Sequence, residues 1–367
     1  MFTQSILKSA STAAPASMLA LWEQLPLPSK KQSESKKTGN KAGLFLFVTG
    51  MKRIITIASA LLVCLSLGAG NVYPKPTKTV LLYPEGQTSG KGITENGAEI
   101  TCGAGESNGY STMSFKDPTR MKEVGDDAFM DIYIPKKHNG QMIICCPGGG
   151  YSILAFVGEG KNVAAWAMRN SVALCVLHYR LPNGHCTVPL TDVQNAFRYC
   201  RAHAGEWGIS QIGVMGFSAG GHLAASATVL WKDAVTRPDF SVLIYPVIDL
   251  GPEIWHKGTA MRLTGGDEQL LRHYTLQNHV NAFTPPTLLM LSADDTAVNP
   301  QNSISFFQKM QEHKVKGEIH IFSKGGHGWG FTTSEFGTDK IAAYRDEFFA
   351  SLSRFLSERR AEAGLPL

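Results

Sequence analysis

From Asp127 onward the chain alternates short runs that are apolar almost throughout with longer stretches of helical character. Met142 to Cys146 reads MIICC, Val172 to Tyr179 reads VALCVLHY, Ser241 to Tyr245 reads SVLIY, and Thr287 to Leu291 reads TLLML. A strand wetted on one face alternates apolar and polar residues. A strand with no polar phase has to be covered on both faces, which is the condition of a parallel sheet between two helical layers. Met130 to Ile134, Ile212 to Met215 and Glu318 to Phe322 extend the strand set. Helices are expected over Glu159 to Asn170, Leu190 to Ala204, Ala219 to Trp231, Pro300 to Glu312 and Lys340 to Arg360. In the second, Val193, Ala196, Phe197 and Cys200 recur at i, i+3, i+4 and i+7. The pattern predicts an α/β fold with a mostly parallel central sheet and helices on both faces. One segment breaks the rhythm. Residues 250–285 carry Trp255, His256, His273, Tyr274 and His279 between two core strands, and read as an insertion over the carboxyl edge of the sheet. Residues 71–125 are rich in Gly, Thr and Ser, with weak strand signals, and are expected to wrap an edge of the same domain.

The N-terminal segment has a different character. Residues 51–70, MKRIITIASALLVCLSLGAG, place a Lys-Arg pair before an apolar stretch and end it on small residues. That is the pattern of a secretory signal peptide. A membrane anchor is the alternative, but the apolar run is short of the ~20 residues that span a bilayer. Residues 1–50 are expected to be an upstream extension and 71–367 a single exported domain, with no stable membrane span in the mature chain. Residues 1–70 hold eight basic and two acidic groups, so the remaining chain carries 27 of the 35 basic and 28 of the 30 acidic groups. A body without a basic excess is a poor nucleic-acid binder, because displacing counterions requires one. With 43% hydrophobic and 18% charged residues the chain is neither disordered, collagen-like nor a coiled coil. The mature chain would keep Cys102, Cys145, Cys146, Cys175, Cys186 and Cys200. An oxidising compartment permits disulfides, yet Cys145, Cys146 and Cys175 lie in apolar strands and read as small buried hydrophobes.

The chemistry concentrates in four places. Gly216-Phe217-Ser218-Ala219-Gly220 is G-x-S-x-G between a strand and an Ala-rich helix. There a sharp turn lifts the serine above the sheet, and glycines are needed where side chains would clash. Serine is a weak nucleophile without a base. His327, in Gly325-Gly326-His327-Gly328-Trp329-Gly330 after the last strand, is the candidate base. The acid that orients it should follow TLLML, in Ser292-Ala293-Asp294-Asp295-Thr296-Ala297-Val298-Asn299-Pro300. Asp295 fits the spacing of an aspartate, two residues, then Val-x-Pro. Asp294 is the alternative, and Asp249 a third candidate. Pro147-Gly148-Gly149-Gly150-Tyr151 follows MIICC, where backbone N–H groups of Gly149 and Gly150, with that of Ala219, could hold an oxyanion. Asp192 and Glu159 open helices and are expected to complement the helix dipole. His222 reads as a packing or hydrogen-bonding histidine below the site. Tyr151, Trp329 and the 250–285 insertion are expected to shape a substrate cleft, with ordinary aromatic packing as the alternative. No metal-ligand cluster or nucleotide loop appears, and no cofactor is implied.

PGGGY, YRLPNGH (Tyr179 to His185), IGVMGFSAGGHLAA (Ile212 to Ala225), SADDTAVNPQNS (Ser292 to Ser303) and GGHGWG together resemble one group of α/β-hydrolases. These are the exported bacterial carbohydrate-esterase-like enzymes of the acetyl-xylan-esterase and feruloyl-esterase type. The resemblance runs from about Asp131 to Phe355. It implies an α/β-hydrolase fold and the cleavage of small acyl esters, acetyl above all, from plant-polysaccharide sugars. The implied roles are Ser218 as nucleophile, His327 as base, Asp295 as acid, and Gly149, Gly150 and Ala219 as oxyanion donors. The implied partner is a small-molecule or polysaccharide ester. Pro147 stands where many lipase-like relatives have histidine, which weakens a lipase analogy. Feruloyl or other carboxylic-ester hydrolysis, small-acyl amide hydrolysis and a non-catalytic binding module are the competing expectations. Oligomeric state is not legible.

Overall fold

The computed structural model describes residues 73–83, 91–93, 99–101, 128–331 and 341–365, all within the compact unit Ala69–Leu367. The expected extension at 1–50, the signal peptide at 51–70 and Cys102 lie outside the described residues.

Eight strands form one sheet in the order β1 (Lys78–Leu81), β4 (Phe129–Tyr133), β6 (Ala173–His178), β5 (Gln141–Cys146), β7 (Gln211–Phe217), β8 (Ser241–Ile244), β9 (Thr287–Ser292) and β10 (Gly317–Phe322). β1 and β4 pair antiparallel, as do β4 and β6; every other pairing is parallel. A separate antiparallel pair joins β2 (Lys91–Ile93) and β3 (Glu99–Thr101). The helices are α1 (Asn162–Arg169), α2 (Thr187–Trp207), α3 (Ser218–Val229), α4 (Lys257–Thr264), α5 (Glu268–His273), α6 (Gln301–Glu312) and α7 (Arg345–Glu362).

The apolar runs are explained by two cores, one on each face of the sheet. Along β5, Met142, Ile144 and Cys146 join one core while Ile143 and Cys145 join the other. The first core holds Val193 and Phe197 of α2, Leu223 of α3, and Phe306 and Met310 of α6. The second holds Val163 and Trp166 of α1 with Phe348, Leu352 and Phe355 of α7. Successive residues of a strand point to opposite faces, so a strand with both faces covered has no polar phase. At the edge the rule relaxes: on β10, Ile321 is exposed.

Several boundaries differ from the sequence reading. α7 begins at Arg345 rather than Lys340, preceded by a 3₁₀ turn. The segment expected as one helix from Glu159 opens with a π-helical turn, Val157–Lys161, before α1. Asp192 does not open a helix. It lies inside α2, wholly buried, and its carboxylate faces the Arg180 guanidinium at 2.5 Å. Cys145, Cys146, Cys175, Cys186 and Cys200 are buried and form no disulfide among the described residues. Burial pushes the Cys145, Cys146 and Cys175 thiols well above the ordinary range, with a hydrogen bond to Cys200 the largest cause at Cys175.

Candidate active site

The β7–α3 junction carries Ser218 at φ +53°, a left-handed conformation that costs a non-glycine residue on the order of 1–3 kcal/mol. The turn survives because Gly216 and Gly220, two residues to either side, have no side chains. A Cβ on Gly216 would lie 2.2 Å from the Gly220 carbonyl oxygen, and one on Gly220 would lie 2.2 Å from the Cys146 oxygen. Phe217 is extended, and the helix starts at Ser218 itself, which sets the hydroxyl above the carboxyl end of β7.

His327 reaches that hydroxyl from the loop after β10. Its Nε2 lies 2.8 Å from Ser218 Oγ, and its Nδ1 lies 2.7 Å from Asp295 Oδ2. An ionised carboxylate only accepts, so Nδ1 carries the proton and the Nε2 lone pair faces the serine hydroxyl. Asp295 has no freedom to leave. Its other oxygen accepts from the Ala297 and Val298 amides, both at 2.9 Å, and its side chain is 1% exposed. Asp294 points elsewhere and accepts from the Gly326 amide at 2.7 Å, bracing the histidine loop. Asp249 instead accepts from the Gly251 amide and from Gln277 Nε2.

The glycine loop after β5 packs directly on the serine: a Cβ on Gly148 would stand 3.0 Å from Ser218 Cβ. Gly149 and Gly150 adopt φ +128° and +63°. The Gly149 carbonyl turns back to accept from the Ser152 and Ile153 amides. Among the described residues, the Gly149, Gly150 and Ala219 N–H groups have no acceptor. Three donors left open beside a nucleophile-and-base pair are what a developing oxyanion requires.

Two expectations are overturned. Tyr151 and Trp329 do not line a cleft; they are 2% and 0% exposed. Tyr151 takes φ +55°. Its hydroxyl meets His222 Nδ1 at 3.1 Å beneath the site. Trp329 donates from Nε1 to Ser292 Oγ at 3.1 Å. His222 is fully buried, bonded to Tyr151 on one side and to the Tyr274 carbonyl on the other, and burial pushes its pKa down to about 4.

The residue that sequence reasoning misplaced is Glu159. It does not serve its own helix. Its Oε2 accepts from the Gly148 amide at 2.6 Å, and its Oε1 accepts from the Tyr245 hydroxyl at 2.8 Å. That same hydroxyl accepts from the Gly330 amide at 2.7 Å. A buried carboxylate and phenol thus tie the glycine loop to the histidine loop. No local pattern encodes this, because the partners come from four separate segments. The Tyr245 ring also lies 4.7 Å from the His327 ring.

The insertion between β8 and β9 forms α4, α5 and a 3₁₀ turn, Leu276–His279. Arg262 of α4 reaches the Gly150 carbonyl at 3.4 Å, so this segment borders the glycine loop. Among the described residues no group of three or more His, Cys, Asp or Glu is placed to hold a metal ion, and no helix is long and apolar enough to cross a membrane.

Comparison with known proteins agrees with this architecture. The BD-FAE family model matches residues 130–240. An acetylxylan esterase of Xylanibacter ruminicola is 36% identical over 214 residues, covering 56% of this chain and 44% of that protein. An endo-1,4-beta-xylanase B of Butyrivibrio fibrisolvens is 27% identical over 226 residues, covering 58% of this chain and 34% of that protein. The chain thus spans less than half the length of these curated relatives. Among solved structures, an acetyl ester-xyloside bifunctional hydrolase of Caldicellulosiruptor lactoaceticus is 29% identical with a TM-score of 0.57, covering 76% of this chain and 97% of that one. The sheet order, the serine at the strand-to-helix turn and these likenesses give the chain the α/β-hydrolase fold. Within that fold, residues 130–240 match the BD-FAE family model, and the chain is similar to proteins named as carbohydrate esterases.

Proposed function

We propose that the protein is a serine hydrolase of carboxylic esters that removes small acyl groups, acetyl foremost, from the sugars of plant polysaccharides. The observation that carries this reading is the unbroken contact from Asp295 through His327 to Ser218 beside open N–H donors. His327 takes the serine proton as Oγ attacks the ester carbonyl. The Gly149, Gly150 and Ala219 amides receive the oxyanion. The imidazolium, held by Asp295, returns its proton to the departing sugar oxygen and leaves an acyl-serine. Water, deprotonated by the same His327, releases the acid and restores the serine. Each well-placed oxyanion donor contributes roughly 10²–10³ in rate in enzymes of this design. The similarity to an acetylxylan esterase and to an acetyl ester-xyloside bifunctional hydrolase supports acetylated saccharides as the substrate class. Export with removal of residues 51–70 is part of the same proposal, since a polysaccharide-degrading enzyme must meet a polymer outside the cell.

The test is acid release from acetylated xylan, a feruloylated sugar and p-nitrophenyl acetate by the purified protein and its Ser218→Ala variant. Acetate released from xylan and lost by more than roughly 10⁴-fold in the variant is the expected result. Ferulate release in its place would move the acyl pocket to aromatic acids. A folded protein inactive on all three would overturn the esterase reading.

A further inference from the structure

The insertion brings a positive charge to the edge of the glycine loop, and the fold makes room for it there. Arg262 lies on α4, and its guanidinium folds back along its own helix. A Cβ on Gly258, one turn earlier, would stand 2.8 Å from Nη1, so glycine at 258 clears that path. The guanidinium ends 3.4 Å from the Gly150 carbonyl oxygen and 3.9 Å from where a Gly150 Cβ would be. The exposed guanidinium stands at the first turn of a helix, where the dipole favours anions, and among the described residues no carboxylate pairs with it.

His256, the N-cap of α4, stands beside it. Its Nδ1 accepts from the Thr259 amide at 3.2 Å and from the Thr259 hydroxyl at 2.7 Å, so its proton sits on Nε2 as a donor. Its Cε1 is 3.8 Å from the Gly150 Cβ position. Burial, then the neighbouring His327 and Arg262, holds its pKa below the ordinary range. His256 therefore adds an N–H group, and the charge at this rim is that of Arg262.

We propose that Arg262, with His256 as a neutral donor beside it, is a specificity residue that favours ester substrates bearing a carboxylate about one sugar ring from the scissile bond. This rests on the ester-hydrolase reading above and names its preferred substrates: acylated saccharides that carry a uronate. Gly150 links the two ends of the argument, because its N–H is a candidate oxyanion donor while its carbonyl meets the guanidinium. The same carboxylate chemistry could enter on the acyl side, as a dicarboxylic half-ester of a neutral sugar, and the experiment separates the two.

The substrates are acetylated methyl glucuronoside, acetylated methyl glucoside and glucose monosuccinate. The expected result is a preference of roughly five- to tenfold in kcat/KM for the glucuronoside over the glucoside at low salt, carried by KM and shrinking as ionic strength rises. Arg262→Gln abolishes the preference, and Arg262→Lys retains most of it. A preference for the monosuccinate instead, equally lost in Arg262→Gln, keeps the rim and assigns the carboxylate to the acyl side. Equal rates on charged and neutral esters in the unmodified protein, or a preference that survives Arg262→Gln, would overturn the proposal. Calorimetric binding of methyl glucuronoside against methyl glucoside reads the rim without turnover. It decides the proposal even for a protein that cleaves none of the three esters, an outcome that removes the esterase reading alone.

Discussion

Asp294 and Asp295 are adjacent in sequence and part company in space. One braces the histidine loop through the Gly326 amide, and the other holds the imidazole itself. The two therefore fail differently. Asp295→Asn keeps the shape but offers an amide where Nδ1–H needs an acceptor, which favours the wrong tautomer. Its kcat is expected to fall roughly 10³–10⁴-fold with little change in KM. Asp294→Ala loses only a loop contact and is expected to cost about tenfold or less, read by the same steady-state kinetics. Glu159 acts at one remove from the chemistry. Glu159→Gln places an amide NH₂ against one of the two donors that the carboxylate now accepts, so either Gly148 or Tyr245 loses its partner. The glycine loop then shifts relative to Ser218, and kcat is expected to drop roughly 10–100-fold while KM holds. A drop in thermal stability with kcat intact would show the network to be structural only.

The elements most legible in sequence were those with a single demand on every residue. β5 and β6 announce themselves because two cores leave no position polar between Gln141 at the start of one and His178 at the end of the other. The serine, histidine and aspartate were legible because each sits on a turn with its own signature, and the structure brings these three into hydrogen-bond contact. What sequence could not convey is contact between segments. Glu159 looked like a helix opener because its partner Gly148 lies across a loop, in a bond that follows only from the π-helical turn. Tyr151 looked like a cleft wall because it follows the glycines, but its positive φ turns the ring under them. That buried layer, joining α3 to the glycine loop and the insertion, carries its own pH signature. His222 titrates near 6.5 when unfolded and at about 4 when folded. Between these values the unfolded chain binds the extra proton, so stability rises with pH. This contribution is fully present above pH 6.5 and is lost as pH falls towards 4, on the order of 3 kcal/mol in all. Urea unfolding from pH 4 to 7 should show that slope, and His222→Gln should flatten it by about one proton.

Across the whole molecule, the segment before β4 is far in sequence from the helices it meets, and one buried cluster joins them. Tyr83, just past β1, donates its hydroxyl hydrogen to Asp192 Oδ1 at 2.7 Å, and Asn195 donates to that hydroxyl oxygen. The Arg180 guanidinium stacks 4.6 Å over the Tyr83 ring and grips the same carboxylate, whose Oδ2 also accepts from the Arg180 amide at 2.8 Å. Arg180 follows β6 and Asp192 lies in α2, so a single carboxylate pins an edge segment, a central strand and a helix together. Burial, and the Asp192 charge beside it, push the Tyr83 hydroxyl well above the ordinary range, so it stays a donor. A buried ion pair contributes little net stability when intact, because desolvation offsets the Coulomb gain, but removing one partner strands the other. Asp192→Ala leaves the Arg180 guanidinium buried without its carboxylate, and the expected cost is about 3–5 kcal/mol. For a domain of this size that is a fall in Tm of roughly 5–8 °C. The joint replacement Asp192→Leu with Arg180→Met removes both charges. Calorimetry should find it well above Asp192→Ala, recovering most of the lost Tm. Equal losses in the two variants would mean that shape, and not the stranded charge, sets the cost at this junction.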